Sequence, residues 1–240
     1  GDLYLTYAGS TNKTQRKRVM RIFKSAIAVT LLYIITCAGA FAEIKSIGTP
    51  FIRNFSKHDY RAGTQNWAIS QDKKGFMYFA NNDGLLVFDG VQWQLYEMPN
   101  SSMVRSIYIN EDGEVYVGAY NDFGKMVDMP DGRKVFKSLK ESLSQEYRNF
   151  DDVWNILPYR DKIVFQSYNA VFIYDGDKSS SVIKAPTRFP HSFNVSGRLF
   201  FCDTEHGLYE FNGTDIFPLR GCEKLLGEEI NAILPFRGNN

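Results

Sequence analysis

Cysteine and histidine are scarce in this sequence, three of each in 240 residues. No two cysteines have CxxC spacing and no Cys/His cluster occurs, so a structural zinc site is not supported. The chain also lacks a GxSxG nucleophile elbow, a GxxxxGK[ST] phosphate loop and an HExxH helix. Charge of one sign is missing too. The net charge is +1, which gives no electrostatic case for holding a nucleic-acid backbone. The longest apolar run has 16 residues, fewer than the roughly 20 needed to span hydrocarbon.

What remains of catalytic chemistry is thin. His58, His191 and His206 stand alone and read as solvated loop side chains. Asp175-Gly176-Asp177 lacks the alternating ligands and closing Glu of a calcium loop and reads as a hairpin turn. Glu228 and Glu229 are adjacent in sequence and do not converge by that fact. No catalytic, cofactor-binding or metal-ligating residue is assigned, no cofactor is expected, and the chain is read as not an enzyme. Sequence spacing leaves open a propeller glycosidase whose two carboxylates come from different blades.

What is abundant is apolar and aromatic. Hydrophobic residues make up 44% and aromatics 15%, with 19 Phe and 14 Tyr, a folded and β-rich profile. Residues 1–42 stand apart, with six basic side chains and one acidic one. A basic run, Gln15 to Lys24, leads into the apolar run Ser25 to Ala40, and Ala40-Phe41-Ala42 precedes Glu43. That order is a secretory signal peptide with cleavage after Ala42. Met20 is a natural start, which makes the residues before it an upstream extension. Lipidation at Cys37 is disfavoured by Thr36 before it. Export leaves Cys202 and Cys222, an even count that permits one disulfide or two free thiols. Five Asn-x-Ser/Thr sequons, at Asn12, Asn54, Asn100, Asn194 and Asn212, matter only in a eukaryotic secretory pathway.

Residues 43–240 are a repeat. Gly75–Ala80, Gly113–Gly118, Asp161–Gln166 and Gly197–Cys202 share one frame, at spacings of 38, 48 and 36 residues. Gly84–Gly90, Ala170–Gly176 and Gly207–Gly213 follow three of them, each closing on Asp-Gly or Asn-Gly, a hairpin signal. Tyr120–Met126 takes that place more loosely in the second unit. Trp93, Val182 and Ile216 mark strands after the turns. Trp67–Asp72, Val104–Ile109, Val153–Tyr159 and Ser192–Val195 open the units, and Ile230–Phe236 opens a fifth.

Four-stranded units at about 40 residues predict an all-β fold, a β-propeller. Four blades are complete, a fifth begins, and the ring is incomplete, as in an N-terminal piece of a longer protein. Each sheet has two apolar faces that only neighbouring blades can bury, so Trp67, Trp93 and Trp154 are expected to be packing residues. The 48-residue interval is an insertion. In Lys137–Phe150, the spacing of Leu139, Leu143 and Tyr147 predicts one short amphipathic helix capping a blade connection.

Several stretches are distinctive: Gly48–Phe55 with Tyr60 and Ala62–Trp67, then Met77–Gly90, Val117–Gly124 and Phe150–Trp154. Together they resemble the periplasmic region of two-component-regulator-propeller proteins that carry a triple-tyrosine domain. The resemblance runs from about Gly48 to the end. It implies an exported sensor propeller, followed outside this chain by a β-sandwich, a membrane helix and a cytoplasmic histidine kinase or DNA-binding domain. The opening segment is closer to the subgroup with the DNA-binding output. The resemblance also implies a small-molecule or oligosaccharide ligand, a homodimer, tethering to the inner membrane and no direct nucleic-acid contact by this segment. An exported glycan-active enzyme and a passive scaffold are the alternatives. Loop positions that could meet a ligand are Asn81, Asn82, Asp83, Asn121, Asp122 and His206, and each also suits a turn.

Overall fold

The computed structural model describes residues 8–38, 52–176 and 181–236, and within the first stretch the side chains of 15–31. The chain divides into two compact units, residues 1–53 and 54–240. In the first unit, helix α1 (Ala8–Ala38) carries the basic run and most of the apolar run on one element. Among the described residues no helix is long and apolar enough to cross a membrane. The expected cleavage after Ala42 lies outside the described residues, as do residues 43–51, Asp177 and Arg237–Gly238.

The second unit begins with the short helix α2 (Lys57–Tyr60), and four antiparallel four-stranded sheets follow. Blade 1 is β1 (Asn66–Gln71), β2 (Met77–Asn81), β3 (Gly84–Phe88) and β4 (Trp93–Tyr96). Blade 2 is β5 (Val104–Ile109), β6 (Val115–Ala119), β7 (Asp122–Asp128) and β8 (Lys134–Ser138). Blade 3 is β9 (Val153–Tyr159), β10 (Lys162–Ser167), β11 (Ala170–Tyr174) and β12 (Ser181–Lys184). Blade 4 is β13 (His191–Val195), β14 (Arg198–Asp203), β15 (Gly207–Phe211) and β16 (Ile216–Pro218). Strands pair in sequence order within each sheet, and the first strands of successive blades are neighbours. These are the inner strands of a β-propeller, and the repeat expected from the sequence is the repeat observed.

The cores lie between blades. Tyr78, Leu85 and Val87 of blade 1 pack on Val115, Val117 and Met126 of blade 2. Phe123 of blade 2 meets Phe165 and Phe172 of blade 3, with ring centroids 4.5 and 5.1 Å apart. Leu157, Val164 and Val171 of blade 3 meet Leu199, Phe201 and Phe211 of blade 4. Each fully buried Phe contributes about 2–3 kcal/mol by removal from water, so the aromatic load stabilises the radial stack. Close approach is also needed. A Cβ on Gly118 would collide with the Ser106 hydroxyl and with Val153 of the next blade. Polar ties cross the same seams near the axis. Ser106 Oγ donates to the Val153 carbonyl at 2.7 Å, and Asn155 Nδ2 donates to that of Ser192 at 3.0 Å.

Three expectations need correction. The helix predicted over Lys137–Phe150 is absent. Leu139 and Leu143 are buried and Tyr147 packs beside them, but two single 3-10 turns carry them, Lys140–Ser142 and Gln145–Tyr147. Arg148 is the reason. It donates to the carbonyls of Leu143 and Glu141, both at 2.8 Å, acceptors that a continuous helix would use itself. The second correction concerns Ile230–Phe236, which forms no strand. Ile230 and Ile233 pack on Phe200, Cys202 and Leu208 of blade 4, and among the described residues no strand pairs with them. Third, Trp93 packs between blade 1 and the segment around α2, among Phe55, Tyr60, Phe79 and Phe88, rather than between blades. Cys202 and Cys222 are free thiols. Cys202 is buried and Cys222 lies against the same apolar cluster.

Candidate functional site

The antiparallel order brings the start of each inner strand, the end of the second strand and the turn into the third to one face. All six loop positions flagged from the sequence lie there. Most are turn or loop fasteners. Asn81 is buried and donates to the Gly63 carbonyl at 2.7 Å and to Asn66 Oδ1 at 2.8 Å. Asn121 sits at φ 52° and its side-chain oxygen accepts from the Phe150 amide at 3.0 Å. Asp122 accepts from the Ser138 hydroxyl at 2.6 Å, and burial raises its carboxyl above the usual range. Asp83 is exposed beside Asn81.

His206 is fastened by a residue that the sequence reading passed over. Buried Asp203 accepts the His206 amide at 3.0 Å and ring Nδ1 at 2.9 Å, and the amides of Thr187 and Arg188 at 2.8 and 3.1 Å. Burial alone would raise the Asp203 carboxyl. The converging donors overcome it and hold the pKa at about 2.

Asn82 is different, because its side-chain oxygen accepts from Trp67 Nε1 at 2.8 Å. Trp67 belongs to a cluster built by three bulges. In blades 1, 2 and 3 the register slips between the first two strands at the same place, and the extra residues are Trp67, Arg105 and Trp154. A bulge turns its extra side chain out of the pleat. These three side chains meet. The Arg105 guanidinium lies 4.1 Å from the Trp67 ring centre and 5.0 Å from that of Trp154, and the indoles are 5.6 Å apart, edge to face. Trp154 also touches Tyr168, at 5.3 Å, and the Arg188 guanidinium covers Tyr168 at 3.8 Å. The result is an alternating ladder of rings and cations across three blades.

The ladder is only partly satisfied. Arg105 is 9% exposed, and its Nε pairs with Asp152 Oδ1 at 2.8 Å. Its Nη1 and the Trp154 Nε1 are buried and have no hydrogen-bond partner. Each such donor costs about 1–3 kcal/mol unless something accepts from it. Trp67, by contrast, is 39% exposed. The packing role expected for Trp67 and Trp154 therefore holds only in part: they stack on a cation at the mouth of the inner strands. Arg105 was missed altogether. The strand pairing brings it out: Ala68, Ser106 and Asn155 face equivalent partners on the second strands, which puts Trp67, Arg105 and Trp154 in register.

No protein-family model matches this chain, and no curated protein does. Among solved structures, virginiamycin B lyase from Staphylococcus aureus matches with a TM-score of 0.50 at 16% identity, over 64% of this chain and 55% of that chain. The likeness shows the fold alone, a β-propeller. An extracellular domain assigned to a one-component system of B. thetaiotaomicron gives a TM-score of 0.47 at 17% identity, over 65% of this chain and 22% of that one. Another from that organism, assigned to a hybrid two-component system, gives 0.46 at 15%, over 61% and 21%. The chain thus spans about half the length of the lyase and about a fifth of the two extracellular domains.

Proposed function

We propose that this chain is the ligand-binding propeller of an exported sensor, part of a transmembrane signalling protein whose output lies outside these residues. The observation that carries the reading is the bulge-built ladder Trp67–Arg105–Trp154, with two buried donors that lack acceptors. Trp93 Nε1 is also buried without a partner, inside a closed aromatic cluster, but the ladder's donors lie beside the part-exposed Trp67, where a ligand could supply the acceptors. The ladder's groups suit binding rather than turnover. Arginine and tryptophan do not exchange protons near neutral pH, so they orient a ligand without acting as acid or base. Export is supported by the basic and apolar runs ahead of the propeller, and the signalling role by the family-like motifs over residues 48–154. A ligand binding across three blades can bias how they pack, which gives a coupling to elements beyond them.

Two measurements test this. The coding sequence beyond residue 240 should continue to a membrane helix and a kinase or DNA-binding domain; a stop soon after further blades sinks the sensor role. Tryptophan emission of the purified chain should change saturably with at least one member of an oligosaccharide and small-metabolite panel. Affinity for that ligand, read by calorimetry, should fall in Trp154→Phe, a variant that keeps an aromatic ring and removes the indole Nε1.

A further inference from the structure

We infer that the ladder takes a carboxylate borne on a ring, and that Trp67 is the movable cover of that site. The inference rests on the ligand-binding reading above and narrows it. Every unsatisfied polar atom in the ladder is a donor: Arg105 Nη1 and Trp154 Nε1. The ligand must therefore bring acceptors. Charge decides which kind. Asp152 is already paired with Arg105 Nε, and Asp151 accepts from Asn169 Nδ2 at 2.6 Å. Arg188 is exposed, stacks on Tyr168, and has no carboxylate within ion-pair distance among the described residues. A guanidinium fork matches a carboxylate in geometry as well as charge. The indole faces beside it favour a flat apolar surface, which a sugar ring or an arene both supply.

Access requires one movement. The Arg105 guanidinium lies against the part-exposed Trp67 indole, 4.1 Å from its ring centre, and that indole has a single hydrogen bond, to half-buried Asn82. Rotating Trp67 breaks that bond and uncovers the Arg105 guanidinium without disturbing the Arg105–Asp152 pair. The ring of the ligand then replaces the indole over the cation.

The test is calorimetry on the full chain with D-glucuronate and phenylacetate, against the neutral D-glucose and phenylacetamide. At least one acid should bind about tenfold more tightly than its neutral counterpart, the discrimination expected of one charge-assisted contact. Which acid binds tells a sugar ring from an arene. Arg188→Gln, an exposed change that leaves the fold intact by circular dichroism, should abolish the difference. Asn82→Ala, which frees the cover, should tighten binding several-fold. Equal binding of acid and neutral probes, or no effect of Arg188→Gln, overturns the carboxylate assignment while leaving a ligand site in place. No effect of Asn82→Ala overturns the cover. Absence of binding by all four probes overturns the inference as a whole, and the oligosaccharide and metabolite panel then decides the ligand-binding reading separately.

Discussion

Blades 1 to 3 and blade 4 begin at the same place in the repeat, yet they begin differently. In the first three, a bulge adds Trp67, Arg105 or Trp154 ahead of a residue paired to the second strand. In blade 4 the residue at that position is Pro190, the ladder starts at His191, and no bulge occurs. Proline has no N–H to donate and a fixed φ, so the strand starts after it. The loop there is fastened instead by the buried Asp203 carboxylate. The contrast shows that one frame carries two devices. A bulge aims a side chain at its neighbours and leaves donors open. A proline followed by a carboxylate latch closes the chain upon itself and leaves none. The bulges are thus a property of three blades, and the carboxylate latch of the fourth holds the loop from which Arg188 reaches Tyr168.

The comparison can be broken from either end. Asp152→Ala leaves Arg105 buried without its partner and should lower stability by about 3–5 kcal/mol in urea unfolding, the largest effect expected. Asp203 responds to acid. Its folded pKa of about 2 lies below the ordinary carboxylate value, so its contribution is fully present above about pH 4. That contribution, about 2 kcal/mol, should be lost as pH falls from 4 through 2, and Asp203→Asn should remove that part of the acid dependence. Ser192→Ala removes the hydroxyl that donates to the buried Gln166 Oε1 at 3.0 Å, and should destabilise by about 1–2 kcal/mol. Trp67→Ala should change stability least, by about 1 kcal/mol or less, because the indole is part-exposed and its cation contact is worth little in water. A large loss on Trp67→Ala would mark it as a core residue and remove the distinction between ladder and latch.

Much of the fold was legible in the sequence because it depends on local signals. Val104–Ile109 and Val153–Tyr159 are strands with the bounds read from their apolar pattern. The Asp-Gly and Asn-Gly pairs closed the expected strands because glycine alone tolerates their positive φ, as at Gly90 and Gly176. The failures came where distant partners decide. Leu139, Leu143 and Tyr147 have helical spacing, yet Arg148 draws off the carbonyls a helix needs. Ile230–Phe236 has the pattern of an opening strand, but among the described residues no strand pairs with it. Of the six loop positions, Asn82 alone touches the ladder. The site was hidden because a bulge breaks the alternation by which strands are read, and because Arg105 looks like any surface charge until its neighbours fold around it.

The placement of the cores also dictates an order of maturation. Phe123 packs on Phe150, Phe165 and Phe172, which follow it in the chain by 27 to 49 residues. A blade emerging from a biosynthetic or export channel therefore stays half-built until its successor follows, each newcomer completing the one before it. The Trp67–Arg105–Trp154 ladder, spread over three blades, is finished only after the third inner strand is in place. The proposed site would thus be completed late, well after the first sheet has formed.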